Sequence, residues 1–208
     1  MEIEQPIQTI RERIRTEIRV KGSRFIATAV PVATKEEALS AVAALRKEFW
    51  DATHNCYAYQ LGPKGADYRF FDDGEPSGSA GKPILLALQR RDILNVVLVV
   101  TRYFGGTKLG VGGLARAYAE SADAALDAAE IVTIWPVTSL RVFTPYDDMK
   151  EVRRLVESYA ESFEEEFKDV VIYTISMRDM NVDAFADALT QKTSGRAGYI
   201  NLDRVPIE

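Results

Sequence analysis
The 208 residues are enough for one large or two modest domains, and a hydrophobic content of 47% beside 27% charged residues supports a packed core under a solvated surface. A net charge of -5 argues against indiscriminate binding to polyanions, and no apolar run is long enough to span a bilayer. The lone Cys56 excludes an internal disulfide, and the N-terminal MEIEQPIQTIRER is mixed in charge with no apolar signal-peptide core, so a reducing cytoplasm is the expected location.

In chain order, Ile10 to Val20 fits both periodicities; the strand reading is preferred because Lys21-Gly22-Ser23 then turns it into RFIATAVPV. A helix is predicted from Lys35 to Trp50. Thr34 caps it, Glu37 completes a capping box, and Ala38, Val42, Leu45 and Phe49 face inward. His54 to Leu61 reads as a strand, Gly62 to Gly65 as a turn, and Tyr68 to Phe71 as the returning strand. The loop DDGEPSGSAGKP follows, then a helix from about Ser79 to Arg90 with Pro83 in its first turn. An apolar strand over 95–102 leads into a glycine-dense loop and a helix running to about Ala129.

Around Glu130 to Pro136 the pattern restarts. Thr138 to Phe143 reads as a strand and Asp147 to Ala160 as a helix. Ser162 to Phe167 and Val170 to Met177 read as a hairpin, Val182 to Gln191 as a helix, and Tyr199 to Val205 as a strand. That order, βαββαβ, is the ferredoxin-like pattern. The expected organisation is therefore α+β in two domains, residues 1–130 and 131–208. Charge divides similarly: from Lys82 to Arg116 there are six Lys or Arg against one acid, and from Asp147 to Asp169 nine acids against four bases.

The stretch TRYFGGTKLGVGGLARAY is the chemically pointed one. Gly105, Gly106, Gly110, Gly112 and Gly113 free the backbone for close approach, a helix N-terminus follows, and Arg102, Lys108 and Arg116 supply cations. With Lys82, Arg90 and Arg91 this suits a phosphate. It departs from Walker A, since Val111 follows Gly110, and from the dinucleotide fingerprint, which would need glycine at Ala115. The alternative is a sharp turn whose glycines let helix and strand pack tightly.

The loop from Asp72 holds three carboxylates, Asp72, Asp73 and Glu75. They suit either a hard cation or the approach to a helix N-terminus, with Ser77 or Ser79 as cap. A Cys56–His54 dyad is weakly supported by strand alternation alone. Tyr103, Phe104 and the strand residues Tyr57, Tyr59, Tyr68 and Phe70 suit either base stacking or a core.

Three segments in order, GSRFIATAVPV, DDGEPSGSAGKPIL and VVTRYFGGTKLGVGGLARAY, resemble the signature of the YigZ/IMPACT family over residues 1–130, and the remainder resembles the small C-terminal domain of its bacterial members. Two departures are Ser79, where threonine is expected, and Val111, where a small polar residue is common. The resemblance implies a first domain like domain 2 of ribosomal protein S5 and a second like a ferredoxin-like domain of elongation factor G. It also singles out Asp72, Asp73, Gly74, Glu75, Ser77 and Ser79 as a motif loop without an assigned role. Eukaryotic members regulate translation by competing for an activator of a stress kinase that bacteria lack. What carries over is a non-enzymatic binding protein linked to translation. RNA, the ribosome or a protein of the translation apparatus is the expected partner, with no membrane, metal, cofactor or catalytic residue. An enzyme acting on a phosphorylated small molecule and a protein-binding module are the alternatives.

Overall fold
The computed structural model describes residues 5–204. The chain forms two compact units that divide after Ile134.

The first unit, Ile7–Ile134, contains β1 (Ile7–Ile10), β2 (Ile14–Val20), β3 (Ser23–Pro31), α1 (Lys35–Glu48), β4 (His54–Leu61), β5 (Asp67–Phe71), α2 (Gly81–Arg90), β6 (Val96–Tyr103), α3 (Val111–Ala128) and β7 (Ile131–Ile134). Five strands make one antiparallel sheet in the order β2-β3-β6-β4-β5. Helix α1 covers one face, packing Ala38, Val42 and Leu45 on Tyr57, Tyr59 and Val99. Helices α2 and α3 cover the other, where Ile84, Leu88 and Ala122 share a core with Phe25, Leu98 and Val100. Strand β6 is central and buried on both faces, which is why Val96 to Val100 reads as an unbroken apolar run without alternation.

Local chemistry fixes the element ends. Lys21 (φ 45°) and Gly22 (φ 82°) are both left-handed, the pattern of the two-residue turn that suits a twisted hairpin, and Val20 pairs with Ser23 across it. Thr34 Oγ1 accepts the Glu37 N–H at 3.2 Å, while Glu37 reaches back one residue beyond the cap, to the Ala33 N–H at 2.7 Å.

Two sequence expectations need correction here. The stretch from Ile10 to Val20 is not one strand: β1 ends at Ile10, and β2 begins at Ile14. Strand β1 pairs instead with β7, from Ile7 opposite Ile134 to Ile10 opposite Ile131, so the segments entering and leaving the unit zip together. The second helix begins at Gly81 rather than Ser79, because the Ser79 N–H and hydroxyl both turn back to the Pro76 carbonyl.

The second unit contains β8 (Val137–Thr144), α4 (Met149–Tyr159), β9 (Ser162–Phe167), β10 (Val171–Arg178), α5 (Val182–Thr193) and β11 (Gly198–Asn201). Its antiparallel sheet runs β11-β8-β10-β9. Val152, Val156, Phe185 and Leu189 from the helices meet Val142 and Tyr173 in its core. Arg196 binds Asp148 through two hydrogen bonds of 2.6 and 2.8 Å, fastening the approach to β11 to the start of α4, and this partner holds the Asp148 carboxyl below its ordinary pKa. The last strand ends at Asn201 and gives way to a 3-10 turn at Leu202–Arg204; Val205 lies outside the described residues. Among the described residues no helix is long and apolar enough to cross a membrane.

Candidate nucleic-acid interface
The loop after β5 is built by its own carboxylates. Asp72 Oδ1 accepts the N–H groups of Ala80 and Gly81 at 3.0 and 2.8 Å, and Oδ2 accepts that of Gly78 at 2.9 Å. Asp72 is thus the anion that satisfies the N-terminus of α2. Asp73 takes the Asn55 N–H and Arg46, each at 2.6 Å. Its carbonyl accepts from His54 Nδ1 at 2.7 Å; a carbonyl can only accept, so the proton sits on Nδ1. Ser77 and Gly74 are exposed, and Ser79 is buried. Asp72→Ala strands three amides beside a helix start and is expected to cost about 2–3 kcal/mol, read by urea unfolding. A loss below about 0.5 kcal/mol would show that water replaces the carboxylate.

Glu75 points inward. Its Oε1 accepts from Arg102 Nη1 at 2.6 Å and from the Tyr118 hydroxyl at 2.8 Å, and the Glu75 and Arg102 side chains are only 4% and 6% exposed. Sheet register explains the convergence: Phe25, Arg102 and His54 sit side by side on β3, β6 and β4, so all three project from the α2/α3 face. Arg102 Nη2 donates to Ser23 Oγ at 3.3 Å, the guanidinium lies 5.5 Å from the Phe25 ring centroid, and Phe25 meets Tyr118 edge-on at 5.2 Å. The three segments singled out in the sequence, around Ser23, Glu75 and Arg102, therefore meet at one buried ion pair.

The anticipated cations fall into two groups. Lys82, Lys108 and Arg116 are exposed and make no hydrogen bond or ion pair among the described residues. Arg90 is bound to Asp123 at 2.9 Å, Arg91 to Asp127 at 2.7 Å, and Arg102 is inside. The glycines also divide. Gly105 packs its backbone on Gly22, while Gly106 and Gly110 are left-handed, with Gly110 as the N-cap of α3. Gly112 and Gly113 lie in the first turn of α3, which carries no acidic residue and no side-chain cap.

The nucleophile and metal readings find little chemistry. Cys56 is buried; its S–H donates to the Asp72 carbonyl at 3.0 Å, with the Tyr118 hydroxyl 3.4 Å away, and burial pushes its pKa far above the ordinary thiol range. Burial likewise raises the Tyr118 pKa, keeping it the proton donor to Glu75. His54 Nε2 stands 3.9 Å from Glu75 Oε1, beyond hydrogen-bond reach. Among the described residues no three His, Cys, Asp or Glu side chains converge as metal ligands would. The stacking face on β4 is core, since Tyr57 and Tyr59 lie under α1, whereas Tyr68 and Phe70 are exposed on the edge strand β5.

Sequence reasoning missed Tyr118 and Ser23 as partners of Arg102. Tyr118 was legible as buried: Leu114, Ala117, Tyr118, Ser121 and Ala122 fall on one helical face.

Taken together, these features define a two-domain α/β protein whose glycine loop is fastened over a buried Glu–Arg pair and bordered by unpaired cations. Known proteins share this plan. The Impact N-terminal domain matches residues 21–126, and a domain of unknown function, DUF1949, matches residues 142–196. The chain belongs to the IMPACT family. It is 35% identical to IMPACT family member YvyE of Bacillus subtilis over 91% of this chain and 88% of that one. It is 45% identical to an IMPACT family member of Thermus thermophilus, over 67% of this chain and 74% of the relative. Protein IMPACT of Mus musculus shares 35% identity over 43% of this chain and 29% of its own length. A solved structure described as a crystal structure of a hypothetical protein superposes with a TM-score of 0.70 at 26% identity, covering 97% of this chain and 99% of the other.

Proposed function
We propose that this chain is a non-enzymatic binding protein of the cytoplasm that contacts RNA or the ribosome through the glycine-loop end of its first unit and acts in the regulation of translation. The observation that carries the reading is the charge balance at that end. Asp72, Asp73 and Glu75 are each consumed by the protein's own donors, while Lys82, Lys108 and Arg116 are left without partners. The uncapped N-terminus of α3 adds exposed amides beside Lys108 and Arg116. Arg102 contributes by holding the loop in place rather than by touching phosphate, and Arg90 and Arg91 are the lesser contributors because Asp123 and Asp127 already neutralise them. The strand order β2-β3-β6-β4-β5 supports an S5 domain 2-like first domain, and βαββαβ with the order β11-β8-β10-β9 supports a ferredoxin-like second domain. Both folds accompany translation components, which is support by analogy.

The test is an anisotropy titration with single-stranded RNA across salt concentrations. The wild-type chain is expected to lose affinity steeply as salt rises. Lys108→Ala/Arg116→Ala should reduce the log–log salt slope by about 1.5, close to one released counterion per lost phosphate contact. An unchanged slope would remove these residues from the interface, and an absence of binding at low salt would remove the function.

A further inference from the structure
The turn between α1 and β4 lies at the same end of the sheet and holds Trp50, which is 82% exposed. The turn is fastened to the end of β6 by three bonds. The Thr53 N–H donates to the Arg102 carbonyl at 2.9 Å, the Phe104 N–H donates to Thr53 Oγ1 at 3.0 Å, and the Tyr103 hydroxyl donates to Asp51 at 2.8 Å. Phe104 is 48% exposed, with the Arg102 guanidinium 5.6 Å from its centroid. Two large rings thus stand in water on a rigid base, and neither covers a hydrophobic core cluster of the unit. The cations around them are unbalanced: Lys21 in the β2–β3 turn and Lys47 in the last turn of α1 are exposed and make no hydrogen bond or ion pair among the described residues, as with Lys108. The carboxylates of Asp51 and Asp73 are already held by Tyr103 and Arg46.

We infer that Trp50 and Phe104 form a base-stacking platform that makes the interface selective for single-stranded nucleic acid. The inference rests on the phosphate-contacting reading above and adds to it the feature that tells strand from duplex. Unpaired cations beside the rings attract a polyanion, and the ring faces reward only bases free to leave their own stack. A duplex offers its phosphates to Lys108 and Arg116 but no free base face to Trp50. A protein partner would be matched by the rings alone and has no need of the surplus of cations.

The experiment uses the full chain carrying Trp135→Phe, so that Trp50 is the only indole. It is titrated with oligouridine of about ten nucleotides and with a blunt RNA duplex of the same length. Single strand is expected to bind at least about tenfold tighter than duplex and to quench Trp50 emission. Trp50→Ala, and separately Phe104→Ala, should weaken single-strand binding by about five- to 150-fold and leave duplex binding unchanged. Because Trp50 is so exposed, its replacement leaves the fold intact, which circular dichroism checks. Equal binding of strand and duplex, with no quenching and no effect of Trp50→Ala, overturns the platform while the salt-dependent phosphate contacts stand. Failure of both RNAs to bind at low salt, with retention only on RNA-free ribosomal proteins, overturns the platform and the phosphate reading together.

Discussion

Glu75→Ala is expected to destabilise the first unit by about 3–5 kcal/mol, one of the two largest effects of a single substitution in this chain. The carboxylate serves two groups at once, Arg102 Nη1 at 2.6 Å and the Tyr118 hydroxyl at 2.8 Å. Removing it leaves a guanidinium whose side chain is 6% exposed without a counter-charge, and a buried hydroxyl without an acceptor. The loss is large because the leftover charge stays desolvated, not because the pair itself contributes that much. Glu75→Gln should fall between, since an amide oxygen still accepts from Tyr118 but supplies no charge. Glu75→Leu/Arg102→Met, which removes both charges, should regain much of the loss. The two tryptophans make the measurement clean: Trp50 reports the first unit and Trp135 the second, so urea unfolding with each replaced in turn separates their transitions. A Glu75→Ala midpoint shift worth less than about 1 kcal/mol would mean that water reaches Arg102 and that the pair is not buried in solution.

The same cluster shows what a sequence discloses and what it withholds. Helix α1 was legible because its cap, its box and its apolar stripe are all local, and so was the β2–β3 turn at Lys21-Gly22. Strand β7 was not, because its four residues pair with β1 at the far end of the unit, and a pairing that remote leaves no local periodicity. Within the site, Arg102 looked like one more cation beside a glycine loop. Strand parity held the correction: Leu98, Val100 and Arg102 alternate onto one face, and that face is core. A cation continuing a buried face requires a buried acid, but which of Asp72, Asp73 and Glu75 supplies it depends on the path of the loop. That path is set by Asp72 binding three amides and by Asp73 and Gly74 in left-handed conformations, and none of this is encoded in residue type alone. The exposure of Trp50 was hidden for the opposite reason. At the end of an amphipathic helix an indole reads as core, and only the turn at Asp51–Thr53 shows that the chain has already left the helix.

Gly105→Ala is expected to be as damaging as the loss of Glu75, and it separates the two roles a glycine loop can have. A Cβ at Gly105 would stand 1.9 Å from the Gly22 carbonyl carbon, 2.1 Å from its oxygen and 2.2 Å from the Ser23 nitrogen. All three are backbone atoms, so no side chain can swing aside. The β2–β3 turn cannot yield cheaply either, because Gly22 is held at φ +82° in a tight two-residue turn. The strands must part, which breaks the bond from the Gly105 N–H to Ser23 Oγ, the same oxygen that accepts from Arg102. The expected cost is about 3 kcal/mol or more, at or above the upper end for overpacking, with the Trp50 transition affected and the Trp135 transition unmoved. Gly112→Ala is the matched control. Its Cβ would meet nothing nearer than Arg116 Nη1 at 3.8 Å, and it sits in the first turn of α3, where alanine is the better helix former. Its stability should be unchanged or raised by up to about 1 kcal/mol. If a phosphate approaches that turn closely, RNA affinity falls in Gly112→Ala with stability intact, whereas in Gly105→Ala affinity and stability fall together. Unchanged stability in Gly105→Ala would show that the two backbones are not in contact, and the glycine would then have to be explained by the ligand alone.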